Sequence, residues 1–130
     1  MNKEKIIDKF NMQPHPEGGW YKELWQSPKT VGERHLSSHI YYLLEKDEVS
    51  KWHRLTSDEI WLFHSGDYLT LTLGGKGKTP IPTQEVEIGK DLFHLLIPAN
   101  TWQRATAKLG DSLVSCVVSP GYNDEDYEMI

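Results

Sequence analysis

The sequence predicts an all-β fold, an antiparallel sandwich or barrel that follows one short N-terminal helix. About eight or nine short segments are rich in β-branched and aromatic residues, and turn residues separate them at intervals of roughly 8 to 12 residues. Residues 68–73 alternate between apolar and polar side chains, which is typical of a strand with one buried face. Helical periodicity occurs only near the N-terminus. Together these observations indicate a β-sandwich or barrel.

The helix is predicted over residues 3–10, because Ile6, Ile7 and Phe10 are spaced to share one helical face. It ends before Pro14. Strands are then predicted at residues 19–25, 37–44, 49–55, 59–64, 68–73, 86–88, 93–97, 103–107 and 113–118. No linker, internal repeat or low-complexity stretch divides the chain, so we expect its 130 residues to form a single domain, 1–130.

Three polar segments are predicted to lie outside the core. Residues 14–19, Pro-His-Pro-Glu-Gly-Gly, favour a turn before the first strand, and a pocket contact through His15 or Glu17 is the alternative interpretation. Residues 74–80 are rich in glycine, but no Gly-Lys-Ser/Thr follows a strand and opens a helix, so they predict a mobile hairpin tip instead of a phosphate loop. The acidic residues 123–128 predict solvated surface.

Composition and charge exclude several classes of function. With 14 Lys+Arg against 19 Asp+Glu the net charge is -5, and no basic stripe offers a surface for nucleic acid. No apolar run approaches the roughly 20 residues that span a bilayer, and the N-terminus lacks a signal-peptide core, so we expect no membrane partner and a cytoplasmic location. Cys116 is the only cysteine, which excludes an internal disulfide, and its apolar neighbours predict a small core residue.

The residues that best indicate a site lie on two predicted strands joined by a tight turn. Residues of equal parity share one face of a strand, so His53 points with Leu55, and Glu59 points with Trp61 and Phe63. If the apolar members face inward, His53 and Glu59 enter the same interior. A buried carboxylate needs a partner, which a histidine supplies. The alternative is that Glu59 faces solvent and His53 is structural.

The remaining polar and aromatic candidates are expected at outer faces, strand ends or packing contacts. Parity places His64 opposite Glu59 and Arg54 opposite His53, so both are predicted to point outward or into an interface. Trp25 and Trp52 are expected to pack at a dimer or sheet surface. The other members of this group are His35, His39, His94 and Arg104.

This pattern resembles the cupin family. The first cupin motif runs Gly, five residues, His-x-His, three or four residues, Glu, six residues, Gly, and His53, Glu59 and Gly66 fit that spacing. Leu55 stands where the motif has its second histidine. Asp47 stands where the leading glycine is expected.

The second cupin motif, Pro-x-Gly-x-x-His, is matched at Pro98, with Asn100 in place of glycine and Gln103 in place of histidine. Over roughly residues 8–128 the chain resembles a cupin subfamily of unknown function. The segments that carry this resemblance are 14–19, 40–44, 50–54, 57–61, 97–99, 102–103 and 117–122. The resemblance implies a double-stranded β-helix, or jelly roll, that commonly forms homodimers. It implies no settled reaction.

The favoured interpretation of the site is a small-molecule-binding module. Aromatic side chains would stack on a polar ring, such as a nucleobase, a nucleotide-sugar or a sugar-like compound, while polar groups contact its edge. The residues expected to contact this ligand are Tyr41, His53, Glu59, Trp61, Phe63, Trp102 and Gln103.

Three alternatives stay open. In a metal-free epimerase or isomerase, His53 with Glu59 would abstract a proton beside a carbonyl, as the resemblance to sugar-epimerising cupins suggests, and Tyr41 or Tyr42 would return it. In a weakly metal-dependent enzyme, a divalent metal would lie on His53, Glu59 and Gln103, a set that lacks two of the histidines of a full cupin site. No cofactor is therefore firmly implied. A structural dimer with a vestigial pocket is the third alternative.

Overall fold

The computed structural model describes residues 1–130 and contains one α-helix and thirteen strands. In chain order these are α1 (Lys3–Phe10), β1 (Gln13–Pro14), β2 (Trp20–Gln26), β3 (Thr30–Val31), β4 (Arg34–His35), β5 (Ser38–Leu44), β6 (His53–Leu55), β7 (Asp58–Gly66), β8 (Leu69–Leu73), β9 (Gln84–Ile88), β10 (His94–Ile97), β11 (Gln103–Thr106), β12 (Ser112–Ser119) and β13 (Tyr127–Met129). The helix is not long and apolar enough to cross a membrane.

The strands form two main antiparallel sheets. The larger sheet has the order β1-β2-β5-β12-β7-β10, and the smaller sheet has the order β13-β6-β11-β8-β9. Strands that follow one another along the chain, such as β6 and β7 or β11 and β12, lie in different sheets. This alternation between two facing sheets is the pattern of a jelly roll. The strands β3 and β4 pair separately as a short ribbon.

The hydrophobic core fills one end of the space between the two sheets. Its members are inward-facing residues of β5, β7, β8 and β12 together with residues from the adjoining strands, and each large apolar side chain buried there contributes about 1.5 to 3 kcal/mol. The buried members include Leu44, Leu69, Leu71, Ile88, Ile97, Ala105, Ala107 and Val114. The other end of this space is lined by polar and aromatic side chains and is not filled.

Helix α1 covers part of the outer face of the larger sheet. Its N-terminus is capped by the Asn2 side chain, which accepts a hydrogen bond from the Lys5 amide, and Asn11 ends it in the left-handed conformation. Its apolar residues pack on a second buried cluster, which consists of Met12, Leu43 and Leu113. The helix therefore leaves the inner face of the sheet to the core and the cavity.

The predicted all-β fold with a short N-terminal helix is confirmed, and each of the nine predicted strands overlaps an observed strand. The strand predicted over 49–55 is shorter, because only residues 53–55 pair continuously and Val49 makes an isolated bridge to Thr106. The prediction that residues 123–128 are solvated surface is wrong at Tyr127. The free edge of β6 pairs with β13, and this pairing holds Tyr127 half-buried against the unfilled end of the fold.

Candidate functional site

A cavity of about 250 Å³ lies between the two sheets. Its walls come from β2, β5, β7 and β12 of the larger sheet, from β6 and β13 of the smaller sheet, and from residues 15–17 before β2. Leu55 and Trp61 form part of an apolar wall, while His53 and Glu59 supply polar groups. All four side chains therefore face inward, as strand parity predicts.

His53 is held in one orientation by its backbone surroundings. It is 3% exposed, and its Nδ1 atom lies 3.0 Å from the carbonyl oxygen of Lys51 and 3.2 Å from Oε2 of Glu17. A backbone carbonyl only accepts hydrogen bonds, so Nδ1 carries the hydrogen and Nε2 keeps a lone pair. Nε2 makes no hydrogen bond within the chain, so this residue presents an unused acceptor at the cavity.

Glu17 enters the cavity because the chain folds tightly between His15 and Gly19. The amide of His15 donates to the Gly19 carbonyl, and the amide of Gly18 donates to the His15 carbonyl. Gly19 adopts a φ of +78°, and a Cβ atom there would lie 2.7 Å from the Leu43 carbonyl oxygen, so both its conformation and its surroundings require glycine. The turn places the Glu17 side chain inward, where only 5% of the residue is exposed.

The carboxyl group of Glu17 is bonded from the C-terminal strand. The hydroxyl of Tyr127 donates to Oε2 of Glu17 at 2.9 Å, and the Tyr127 ring stacks on His53 with a centroid distance of 5.8 Å. Tyr42 donates its hydroxyl hydrogen to the Gly18 carbonyl at 2.6 Å, which fixes the same turn from β5. Residues from four separate parts of the chain therefore converge around one carboxyl group.

Glu59 is positioned through Gln103 and Trp61. The indole Nε1 of Trp61 donates to Oε1 of Gln103 at 2.8 Å, and Nε2 of Gln103 donates to Oε1 of Glu59 at 2.7 Å. An indole N–H can only donate, so the amide oxygen of Gln103 must face Trp61 and its nitrogen must face Glu59. Gln103 is 1% exposed and lies behind the cavity wall, where it acts on the site through Glu59.

Burial favours the uncharged form of each ionisable group in this cluster. It raises the pKa of Glu17 to about 8, although the hydrogen bond from Tyr127 opposes the shift. Burial also raises the pKa of Glu59, although the charge of His53 opposes this shift. Burial lowers the pKa of His53, and burial together with the charge of His53 lowers the pKa of His15 to about 4. The close contact between His53 and Glu17 therefore joins two uncharged groups.

The cysteine on the cavity wall is also uncharged. Cys116 lies on β12 among the cavity residues and is 3% exposed. Burial raises the pKa of its thiol well above the usual value, and the neighbouring carboxyl of Glu59 acts in the same direction. The residue is buried, as its sequence predicts, and its protonated thiol is a poor nucleophile.

The residues predicted to hold a divalent metal do not fit one. No three His, Cys, Asp or Glu side chains of the chain are arranged to hold a metal ion. The amide oxygen of Gln103 already accepts the Trp61 hydrogen and faces away from Glu59. Leu55 occupies the place of the second cupin histidine, and its side chain lines the cavity without offering an atom that binds metal. His53 and Glu59 alone do not form a closed ligand set.

The predicted pairing of His53 with Glu59 is replaced by two separate arrangements. The short contacts of His53 go to Lys51 and Glu17, whereas Glu59 is hydrogen-bonded to Gln103. His53 and Glu59 line the same cavity and influence each other through charge. The proton chemistry predicted for a dyad of these two residues thus lacks the direct contact on which it depends.

Three aromatic residues predicted to contact a ligand lie away from the cavity. Tyr41 points to the outer face and packs against α1 and its buried cluster. Phe63 packs in the core, with its ring centroid 6.3 Å from that of Phe93. Trp102 is fully buried, with the guanidinium group of Arg54 4.4 Å from its ring centroid. Tyr42, the neighbour of Tyr41, takes the cavity position on β5.

The outer face of the smaller sheet carries a second stacked pair. The guanidinium group of Arg104 lies 4.7 Å from the ring centroid of Trp52. The outward parity expected for Arg54 and Arg104 is therefore observed. Arg54 and the indole N–H of Trp102 both donate to the carbonyl oxygen of Gly77. These two hydrogen bonds anchor the loop at residues 74–80, which the sequence predicts to be mobile.

Two important cavity residues are Glu17, which the sequence offers only as an alternative pocket contact, and Tyr127, which the sequence assigns to solvated surface. The paired glycines after Glu17 are the available signal, since a turn that needs two left-handed glycines brings the preceding side chain close to the sheet. No comparable signal marks Tyr127, because its role depends on pairing between β13 and β6, which are far apart in sequence.

Comparison with known proteins places these features in a family. The family profile described as Cupin superfamily (DUF985) matches residues 4–130. A protein from Shewanella oneidensis is 34% identical, with coverage of 100% of this chain and 85% of that chain and a TM-score of 0.91. A hypothetical protein from Leishmania major is 31% identical, with coverage of 100% and 88% and a TM-score of 0.89.

More distant structures share the fold alone. KdgF from a Halomonas species is 19% identical, with coverage of 91% of this chain and 94% of that chain and a TM-score of 0.66. Among curated proteins, none matches the sequence significantly.

Proposed function

The chain belongs to the DUF985 family of the cupin superfamily, and we propose that it binds a small polar organic ligand in the cavity between its two sheets. The observation that carries this proposal is the burial of Glu17, His53 and Glu59 around an open space. Burying polar groups without full hydrogen bonding costs about 1 to 3 kcal/mol each. A ligand that completes their hydrogen bonds accounts for their presence where the fold alone would favour apolar packing.

The size of the cavity narrows the class of ligand. At about 250 Å³ it is smaller than the roughly 300 to 1,000 Å³ of pockets that hold drug-sized molecules. A nucleobase or a monosaccharide matches this volume better than a nucleotide-sugar does. The apolar wall of Leu55 and Trp61 suits the face of a ring, and the polar cluster suits its edge.

A thermal-shift and calorimetry screen of nucleobases and monosaccharides tests the proposal. A ligand present at 100 times its dissociation constant should stabilise the folded chain by about 2.7 kcal/mol. His53→Gln should lose most of this stabilisation, because the substitution removes the free Nε2 acceptor while leaving an amide that can donate to the Lys51 carbonyl. His94→Gln is the matched control, since His94 is exposed on β10. Absence of any shift across the panel, or full stabilisation of His53→Gln, contradicts the proposal.

We also propose that a second copy of this chain covers the outer face of the larger sheet. A continuous row crosses five strands there: Trp25 pairs with His39, His39 with Val117, Val117 with Ile60, and Ile60 with Leu96. Trp25, Ile60 and Leu96 are 52%, 38% and 53% exposed. The row spans about 19 Å and contains no Lys, Arg, Asp or Glu, so two copies related by a two-fold axis meet without like charges opposed.

The mass of the chain in solution tests this dimer. Light scattering should give twice the 15.0 kDa of one chain, and Ile60→Lys should give a single chain, because the substitution would bury a charged side chain in the apolar interface. Ile81→Lys is the control, since Ile81 is 70% exposed and lies outside the row. A monomeric wild type, or an Ile60→Lys variant that remains dimeric, contradicts the proposed interface.

A further inference from the structure

We infer that the ligand of this cavity is a compact organic cation with N–H donors, such as an amidinium, a guanidinium or a primary ammonium ion. The inference rests on the proposed function, because it concerns the same cavity and specifies the charge of what the cavity binds. Three independent features of the cavity support it: the direction of its hydrogen bonds, the charge of its lining and its aromatic walls.

Five donors of the lining are used within the protein, whereas the hydroxyls of Tyr21 and Ser38 and the side-chain amide of Gln26 donate to no group of the chain. Tyr42 donates to the Gly18 carbonyl, and Tyr127 donates to Glu17. The hydroxyl of Tyr122 donates to Asp124 at 2.8 Å. The indole of Trp61 and the Nδ1 hydrogen of His53 are likewise occupied. Around Glu17, His53 and Glu59, a ligand must therefore bring most of the hydrogens for its own hydrogen bonds.

The acceptors of the lining remain available. Nε2 of His53 has no partner in the chain, although the residue is almost fully buried. Glu59 accepts hydrogen bonds from Gln103 and from the weakly donating Cys116 thiol, and Glu17 uses one carboxyl oxygen for the hydrogen bond from Tyr127. N–H groups on a ligand would satisfy these acceptors. A positive charge among them would favour the ionised forms of both carboxyl groups and so strengthen each hydrogen bond.

The charge of the lining selects the sign of the ligand. Glu17, Glu23, Glu59 and Asp124 all line the cavity, and no lysine or arginine does. An anionic ligand such as a phosphate or a carboxylate would meet carboxyl groups with no positive partner, which is unfavourable in a buried site. The net charge of -5 also attracts cations to the chain as a whole.

The walls provide the aromatic faces that cations favour. Trp61 lies on one side, and the remaining aromatic residues of the lining are Tyr21, Tyr42, Tyr122 and Tyr127. The rings of Tyr122 and Tyr127 are 5.7 Å apart at their centroids and meet edge to face. Aromatic residues grouped around a cavity are the usual means by which proteins bind organic cations. Carboxyl groups and ring faces thus favour the same class of ligand.

Three ring compounds of nearly equal size and different charge test the inference: benzamidinium, benzamide and benzoate. Isothermal titration calorimetry at pH 7 should show benzamidinium binding at least about tenfold more tightly than benzamide, with no measurable binding of benzoate. The tenfold difference corresponds to the advantage of hydrogen bonds that involve charged groups over those between neutral groups.

Variants of the carboxyl groups locate the effect. Glu17→Gln and Glu59→Gln should each reduce the preference for benzamidinium over benzamide to about one tenth or less of its wild-type value, while Glu85→Gln, an exposed residue on β9, should leave it unchanged. Retained benzamide binding in the variants verifies that the cavity persists. Equal or weaker binding of benzamidinium relative to benzamide overturns the cation inference and leaves the proposed function standing. Failure of all three probes also overturns it, and the nucleobase and monosaccharide screen then decides the proposed function separately.

Discussion

Replacing Gln103 with leucine should lower the free energy of unfolding by about 2 to 6 kcal/mol. The substitution removes the acceptor of the Trp61 indole hydrogen and the donor to the Glu59 carboxyl in one step. Each buried polar group left without a partner costs about 1 to 3 kcal/mol, and both residues are at most 5% exposed. Urea unfolding with linear extrapolation measures the change.

The control for this prediction is Gln84→Leu. Gln84 is exposed on β9 and pairs with Leu73 through the backbone, so its substitution should change the free energy of unfolding by less than about 0.5 kcal/mol. A loss below about 1 kcal/mol in Gln103→Leu would mean that Trp61 and Glu59 find other partners. The hydrogen-bonded chain from Trp61 to Glu59 would then not be what positions the carboxyl group.

The inward-facing half of the site was predictable because strand parity is a strict geometric rule. Leu55 and Trp61 had to share a side with His53 and Glu59 once the apolar residues were assigned to the interior. The same rule does not identify which end of the space between the sheets a residue reaches. Phe63 has the correct parity but lies in the filled core, and only the three-dimensional register separates it from Trp61.

Two departures from the cupin motifs have a simple conformational explanation. Asp47 and Asn100 stand where the motifs have glycine, and their φ angles are 70° and 67°. Aspartate and asparagine are the residues that most readily replace glycine in the left-handed region, so the backbone path is kept. The departures at Leu55 and Gln103 are of a different kind, because an apolar side chain and a hydrogen-bonded amide stand where the motifs have histidines.

The partner of His53 could not be predicted from the sequence. Glu17 lies 36 positions before His53, and Tyr127 lies 74 positions after it. Their approach depends on a glycine turn before β2 and on the pairing of β13 with β6, neither of which leaves a periodic signal. Local patterns specify which way a side chain points within its own strand, whereas contacts across the fold depend on how the strands are arranged.

The stability of the chain should fall as the pH rises from about 6.5 to 8, and Glu17→Gln should remove much of that fall. Burial raises the pKa of Glu17 from 4.5 to about 8, so the folded chain keeps a proton that the unfolded chain releases. The stabilisation from this group is complete below pH 4.5 and is lost as the pH rises to about 8. One such proton changes the free energy of unfolding by at most about 1.4 kcal/mol per pH unit.

Measurement above pH 6.5 limits the contribution of the histidines. Burial lowers the pKa values of His15 and His53, so their stabilisation is lost mainly as the pH falls below 6.5, and the comparison of Glu17→Gln with wild type cancels the remainder. The titratable groups that face Glu17 are His15, Tyr42, His53, Glu59, Cys116, Tyr122 and Tyr127. The pKa of Glu59 is raised in the same direction, so the slope in Glu17→Gln should be reduced without being abolished.

Urea unfolding at pH 6.5, 7.25 and 8 measures the slope for wild type, Glu17→Gln and the control Glu85→Gln. Between pH 6.5 and pH 8 the free energy of unfolding of Glu17→Gln should rise by about 2 kcal/mol relative to that of wild type, because glutamine has no proton to lose. Glu85→Gln should follow wild type throughout, since Glu85 is exposed and lacks the burial that causes the shift. Parallel curves for wild type and Glu17→Gln would show that the carboxyl group of Glu17 is ionised at pH 6.5. The carboxylate would then lie against a neutral imidazole at His53, and the cavity would carry a negative charge before any ligand binds.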